Sequence, residues 1–351
     1  MTPLDELKVL LLSEYDRRIG KLRRGPLLRL LNPPPHVRYF ALQRSKMYEA
    51  PANYSELSPL ELLRSLVRQA SRVLRTPLGE GFDLVHSFFI DLTRTSVPWI
   101  HESDESPGQY LDEYVNVPDV AKNIITGALV DRLVDDNCRA VITWSKWAHE
   151  GFVRDGVPSS KVHVIPPPVS VKSRRPHDAV NILIIARDPI RKGLDVSLKA
   201  FVRVHRHFNN VRLIVVGPNA SRLAKVGLKG VRAFDKVDDD TLHDVIMPTT
   251  DVVLAPSRAE AYNLTVLEAM AYGAVPIVTN VGALPELVGE AGLIIERDDY
   301  DMLADSLEKL VSDQGLRESL SLRAQEVVRR DHDPEVIGES LLKVYRQALE
   351  G

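Results

Sequence analysis

The sequence holds a single cysteine, Cys138, in 351 residues. One thiol makes no intrachain disulfide, and no Cys/His zinc spacing can be assembled around it. No apolar run approaches the roughly 18–20 residues that a membrane-spanning helix requires. Asp5, Glu6 and Lys8 stand ahead of the first apolar run, which is not the pattern of a cleavable export signal. A large charge of one sign is also lacking. The 45 Lys and Arg against 48 Asp and Glu leave a formal −3, which excludes a polybasic nucleic-acid coat. Three loops are missing as well: no GxGxxG after a first strand, no GxxxxGK[ST], no GxSxG elbow. Their absence argues against nicotinamide dehydrogenases, P-loop enzymes and α/β-hydrolases. A cytoplasmic chain of two domains, without nucleic acid as a partner, is expected from this length and a hydrophobic content of 44%.

The small net charge hides an asymmetry. Residues 1–50 carry ten basic and five acidic side chains, a local +5, whereas residues 101–170 are acidic. Short β-rich runs alternate with helical patterns along most of the chain. Lys8–Leu12, Val37–Leu42, Phe82–His86, Val97–His101, Arg139–Trp144 and Lys161–Ile165 read as strands, with helices at Glu56–Leu74 and Val120–Asp135. Beyond residue 178 the alternation is cleaner. Strands are expected at Asn181–Ala186, Val211–Val216, Val231–Phe234, Asp251–Ala255, Val275–Thr279 and Gly292–Ile295, and helices at Tyr300–Val311, Leu316–Arg329 and Pro334–Leu349. Such alternation implies parallel sheets covered by helices on both faces. The segment IPPPVSVKSRRPHDAV, residues 165–180, suits neither a helix nor a central strand and reads as the interdomain linker. The expected organisation is α/β, with two doubly wound Rossmann-like domains facing across a cleft. Residues 1–168 form one, 169–331 the other, and 332–351 a last helix that packs back on the first. Ligands in open α/β sheets bind at the carboxyl edge of the strands.

The densest chemistry lies in DVVLAPSRAEAYNLTVLEAMAYGAVPIVTNVGALPELV, residues 251–288. A strand ends at Ala255, Pro256–Arg258 make a loop, and a helix opens near Asn263. That helix is apolar except for Glu268, a carboxylate that needs a partner in such surroundings. Glu260 stands eight positions earlier in the loop. Asn263 is suited to cap the helix or to adopt a left-handed backbone. The amides around Tyr262, Asn263, Leu264 and Thr265 would form an anion site at the helix start. One loop thus offers carboxylates for hydroxyl groups and N–H donors for phosphate. Upstream, Arg187 and Lys192 follow another strand end, a rigid fork and a mobile point charge suited to a diphosphate. Seen alone, such a pair also fits an ordinary solvated loop.

Together these residues resemble the donor half of retaining glycosyltransferases of family 4, which have the GT-B fold. SRAEAYNLTVLEAMAYG matches the family's Glu-x7-Glu segment, with Glu260 and Glu268 on its two glutamates, and ARDPIRKG matches its phosphate motif through Arg187 and Lys192. VGALPELV resembles the family's G-G-x-P-E stretch, with Glu286. The likeness is strong from the linker to about residue 330 and looser before it, where VPWIHESD places His101 on the histidine that approaches the donor sugar. His86 reads as structural. The resemblance implies a hexose moved, with retention, from a nucleotide-diphosphate sugar to a hydroxyl of a sugar, lipid or small-molecule acceptor. It implies no metal and no cofactor. Glu268 would hold the ribose, Glu260 the sugar hydroxyls, Arg187 and Lys192 the phosphates, and His101 the reacting face. A GT-B epimerase and a non-catalytic nucleotide-sugar-binding protein are the alternatives.

The sequence departs from that family in places. The loop after the first strand, LLSEYDRRIGKLRRG, has Gly20 and Gly25 but no Gly-Gly. Ala186 precedes Arg187 where glycine is usual, and Tyr262-Asn263 replaces Phe-Gly. Asp238, Asp239 and Asp240 precede a helix and read as an N-cap cluster. Arg64, Arg68, Arg72 and Arg75 make a basic stripe on Glu56–Leu74, either a solvated face or, with the basic first 50 residues, a peripheral contact with an anionic membrane.

Overall fold

The computed structural model describes residues 6–13, 15–16, 21–43, 80–88, 95–115, 117–225 and 227–350. The arginine-bearing segment 56–74 and Gly20 lie outside them. The chain divides into two compact units: Met1–Pro168 with Pro334–Gly351, and Val169–Asp333.

The first unit runs β1 (Leu7–Ser13), β2 (Tyr15–Asp16), β3 (Lys21–Leu22), α1 (Arg24–Leu31), β4 (Val37–Gln43), β5 (Leu84–Phe88), β6 (Trp99–Glu102), α2 (Pro107–Tyr114), α3 (Asp119–Val134), β7 (Cys138–Thr143), α4 (Lys146–Asp155) and β8 (Val162–Val164). Six strands form one parallel sheet in the order β4-β1-β5-β6-β7-β8. A strand covered on both faces is apolar at every position, and alternate residues feed alternate cores. Val9 and Leu11 join Ile100 and Ile142 on one face, while Leu10 and Leu12 join Trp99 and Val141 on the other. Cys138 is fully buried, and burial pushes its thiol up to about 12, which leaves it unreactive at neutral pH. After the second unit the chain returns as α11 (Pro334–Glu350). Its Ile337, Leu341, Val344, Tyr345 and Ala348 fall on one helical face and enter the core of β1 and β6.

A buried polar network lies inside that core. Glu102, at the end of β6, is 0% exposed and Arg29 of α1 is 1% exposed. Arg29 donates to the carboxylate through Nε at 3.2 Å and Nη2 at 3.1 Å, and also to the Ile165 carbonyl at 2.7 Å. Trp144 Nε1 donates to Glu102 at 2.6 Å. His86 Nε2 lies 2.9 Å from the other carboxylate oxygen, and its Nδ1 lies 2.6 Å from the Tyr345 hydroxyl. Tyr39 and Tyr345 hydroxyls are 2.8 Å apart. A neutral His86 carrying its hydrogen on Nε2 lets the Tyr39, Tyr345 and His86 donors run in one direction toward Glu102.

The second unit contains β9 (Val180–Ile185), α5 (Leu194–His205), β10 (Val211–Val216), α6 (Arg222–Lys225), β11 (Val231–Phe234), β12 (Val252–Ala255), α7 (Leu264–Ala271), β13 (Val275–Thr279), α8 (Leu284–Val288), β14 (Leu293–Ile295), α9 (Tyr300–Ser312) and α10 (Gln314–Asp331). Its parallel sheet has the order β11-β10-β9-β12-β13-β14. Ile182 and Ile184 face one core and Leu183 the other. Strand order reverses between β9 and β12, and the carboxyl ends there open the crevice in which such sheets bind ligands. The proline-rich segment from Val169 onward is fastened to this unit: Arg174 and His177 both reach Asp251, at 2.5 and 2.8 Å. The acidic run leads into a π-helical turn, Thr241–Ile246, where Asp238 accepts from the Thr241 N–H at 2.6 Å. Asp240, at the N-cap position, makes no side-chain cap bond. Among the described residues no helix is long and apolar enough to cross a membrane.

Candidate active site

Two loops leave the carboxyl edge at the reversal point. Residues 186–193 follow β9 and lead into α5, whose N-cap, Gly193, takes the left-handed backbone at φ 66°. Residues 256–263 follow β12 and lead into α7. Asn263 both adopts φ 72° and caps that helix, its Oδ1 accepting from the Val266 N–H at 3.2 Å. The amides of Leu264 and Thr265 lack intrahelical acceptors, as first-turn amides do, and both residues are partly exposed.

The loops meet through Lys192 and Glu260, 68 residues apart in sequence, where Lys192 Nζ donates to Glu260 Oε2. The same oxygen accepts from Ser257 Oγ at 3.2 Å and Asn263 Nδ2 at 3.1 Å. Among the described residues, Glu260 Oε1 has the Arg191 guanidinium near it, at 3.9 Å. Burial lowers the Lys192 pKa, the Glu260 carboxylate opposes that, and the Arg191 and Arg187 charges add to the lowering. Arg187 is exposed beside it.

Glu268 sits in the second turn of α7, buried, with His243 Nε2 3.9 Å from its Oε2. A histidine from the π-helical turn thus stands beside the carboxylate that needs a partner. Tyr262 is buried, its hydroxyl 3.5 Å from His332 Nε2. Lys192, Asn263 and Ser257 therefore converge on Glu260, Leu264 and Thr265 open the adjoining helix, and Glu268 follows on it. His101 belongs to the first unit, on β6, edge-on to Trp99 and Phe152 at 6.4 and 6.1 Å between ring centroids.

Sequence reading did not single out Ser257, Arg191, Arg258 or Gly282. Gly282 has φ +54°, and a Cβ there would stand 1.6 Å from the Glu260 carbonyl oxygen. Gly289 has nearly the same φ, +53°, with nothing within 4 Å. Gly282→Ala is expected to lose about 1–3 kcal/mol more than Gly289→Ala in urea denaturation, the excess being the clash rather than the backbone. Equal losses would refute the close approach as the reason for glycine at 282.

Residues 179–313 match the family described as glycosyl transferases group 1. The second unit is a glycosyl transferases group 1 domain. Curated relatives align over about half of the chain. The phosphatidyl-myo-inositol mannosyltransferase of Mycolicibacterium smegmatis is 30% identical over 178 residues, 48% of this chain and 46% of that protein. An Arabidopsis thaliana phosphatidylinositol N-acetylglucosaminyltransferase subunit is 28% identical over 173 residues, 46% of this chain and 38% of that one. The alignments thus span less than half of these relatives. Structural likeness reaches across both units. Sucrose-phosphate synthase from Thermosynechococcus elongatus superposes with a TM-score of 0.72 at 18% identity, covering 98% of this chain and 99% of that one. Anabaena HepE, solved in complex with UDP and glucose, gives 0.66 at 14% identity over 96% and 98%. The group 1 domain and the first unit are the two Rossmann-like domains of the GT-B fold.

Proposed function

We infer that the chain is a retaining glycosyltransferase, moving a hexose from a nucleotide-diphosphate sugar to a hydroxyl acceptor without a required metal. The observation that carries this reading is the contact of Lys192 with Glu260 at the strand-order reversal, beside the open helix start at Asn263. It puts a phosphate cation, a sugar-binding carboxylate and first-turn amides within one loop pair. The group 1 domain and the relatives named for transfer of mannose or N-acetylglucosamine support it, as does a fold shared with a protein that holds UDP and glucose.

In this reading Arg187, Lys192 and the amides of Leu264 and Thr265 face the diphosphate. They neutralise charge as it grows on the departing phosphate, in a site already organised before reaction. Glu268 holds the ribose hydroxyls. Glu260 Oε2 is fully engaged by its three donors, which leaves Oε1 for the hydroxyls of the sugar. Such positioning supplies several kcal/mol of barrier reduction.

A thermal-shift screen over UDP, GDP and ADP tests the assignment. One of them is expected to raise the melting temperature, and Glu268→Ala or Arg187→Ala to abolish the rise. Turnover of the matching sugar ester then identifies the reaction: transfer or slow hydrolysis is expected, isomerisation without acceptor points to an epimerase, and binding alone to a non-catalytic protein. Unaltered nucleotide binding in both variants would remove the site.

A further inference from the structure

Two arginines outside the assigned phosphate contacts lace the loops of the site together. Arg191 Nη1 donates to the Ala259 carbonyl at 2.8 Å. Arg258 Nη1 donates in the opposite direction, to the Ile190 carbonyl. The Arg258 N–H donates to the Arg191 carbonyl at 2.7 Å. Each arginine thus bonds backbone immediately beside the other. The next residue after Arg191 is Lys192, and the next after Ala259 is Glu260, the pair whose contact defines the site.

Arg258 is held from a third side. Its Nη1 and Nη2 fork onto Asp195 in the first turn of α5, at 3.0 and 2.9 Å, and Nη2 also lies 2.7 Å from Asp298. Two carboxylates already balance this guanidinium, so its charge is committed to the loops rather than offered to a phosphate. Arg191 is anchored within its own loop, its N–H donating to Asp188 Oδ1 at 3.1 Å. The geometry demands guanidinium planes. An ammonium in place of Arg258 cannot span a carbonyl and a bidentate carboxylate at once.

We propose that Arg258, together with Arg191, is a positioning residue: the reciprocal clasp fixes the separation of Lys192 from Glu260, and so weighs more heavily on sugar transfer than on nucleotide affinity. The proposal rests on the glycosyltransferase reading for the roles of those two residues. Its logic is that Lys192 shares the diphosphate with Arg187 and the α7 amides, while the nucleoside is assigned to Glu268, which the clasp does not touch. The sugar is assigned to Glu260, which it does. A displacement of about 1 Å at a reacting centre costs on the order of 100-fold in rate.

The test uses Arg258→Lys, which keeps the charge, and Asp195→Asn, which loosens the same fork from the other end. Whichever of UDP, GDP and ADP the wild-type chain binds is the affinity probe, and its release from the glucose or mannose ester is the rate. Arg258→Lys is expected to lower kcat at least tenfold with the nucleotide Kd within threefold, and Asp195→Asn to shift it less in the same direction. Hydrogen–deuterium exchange is expected to quicken in both 187–194 and 256–263 in either variant. A fall in affinity as large as the fall in rate, or an unchanged kcat, overturns the proposal. If the wild-type chain binds none of the three nucleotides, the glycosyltransferase reading fails. Exchange still decides the clasp, because equal exchange in variant and wild type overturns it.

Discussion

Replacing Glu102 by alanine is expected to destabilise the first unit by about 3–5 kcal/mol, the cost of stranding a buried charge. Arg29 is 1% exposed and would keep its charge with no carboxylate to face, and the Trp144 N–H would lose this acceptor. The chain has three tryptophans, at 99, 144 and 147, all in the first unit, so fluorescence-monitored denaturation reports that unit alone. The companion variant Arg29→Met/Glu102→Leu removes both charges and is expected to recover much of the loss. A single variant no less stable than the wild type would show that the network is not what holds α1 and α11 to the sheet.

The same network sets an acid limit. Burial by itself raises the Glu102 carboxyl, but the Arg29 charge and the His86 contact outweigh it and bring the pKa to about 2 from the usual 4.5. Burial lowers His86, only partly offset by Glu102. Both folded values lie below the unfolded ones, so both groups stabilise at neutral pH and lose that contribution as pH falls. His86 begins the loss below about 6.5, its unfolded value. Glu102 adds to it from about 4.5 down to about 2. Stability read by fluorescence-monitored urea denaturation should fall as pH drops below about 6.5, and between 6.5 and 4.5 it should fall less steeply in His86→Asn.

Most strands were legible because a strand covered on both faces has to be apolar throughout. Val9–Leu12 and Ile182–Ile185 announce themselves in that way. Edges were less legible where a polar residue ends a strand. Val97–His101 was expected and Trp99–Glu102 is found, because Glu102 looks like a loop residue until Arg29 and His86 are brought to it. Arg29 lies 73 residues from Glu102, and His86 lies 259 residues from its other partner, Tyr345, beyond any local pattern. The Glu-x7-Glu segment was legible for the opposite reason, since one loop and one helix contain it. The asparagine between them was legible too, because few residues cap a helix from a left-handed backbone. The arginine clasp was not, since Arg191 and Arg258 act on each other's neighbouring backbone carbonyls, which leave no trace in residue type.

Lys192→Met is expected to reduce sugar turnover by about 100- to 1000-fold, the scale of losing one preorganised charge at a developing anion. Removing the cation has a second consequence. Glu260 is 8% exposed, and without the ammonium its Oε2 keeps only the neutral donors Ser257 and Asn263. A buried carboxylate left with only the Arg191 guanidinium, 3.9 Å from its Oε1, is destabilising, so Lys192→Met alone confounds folding with chemistry. The double variant Lys192→Met/Glu260→Gln separates them. It abolishes the stranded charge while preserving shape and the acceptor for Ser257, and it is expected to melt within a few degrees of the wild type. It is expected to remain as inactive as the single variant, since the phosphate cation and the sugar-binding carboxylate are then both gone. Recovery of turnover along with stability would mean that Lys192 only neutralises Glu260 and that the diphosphate is held elsewhere. Stability without turnover would place both side chains on the reacting donor.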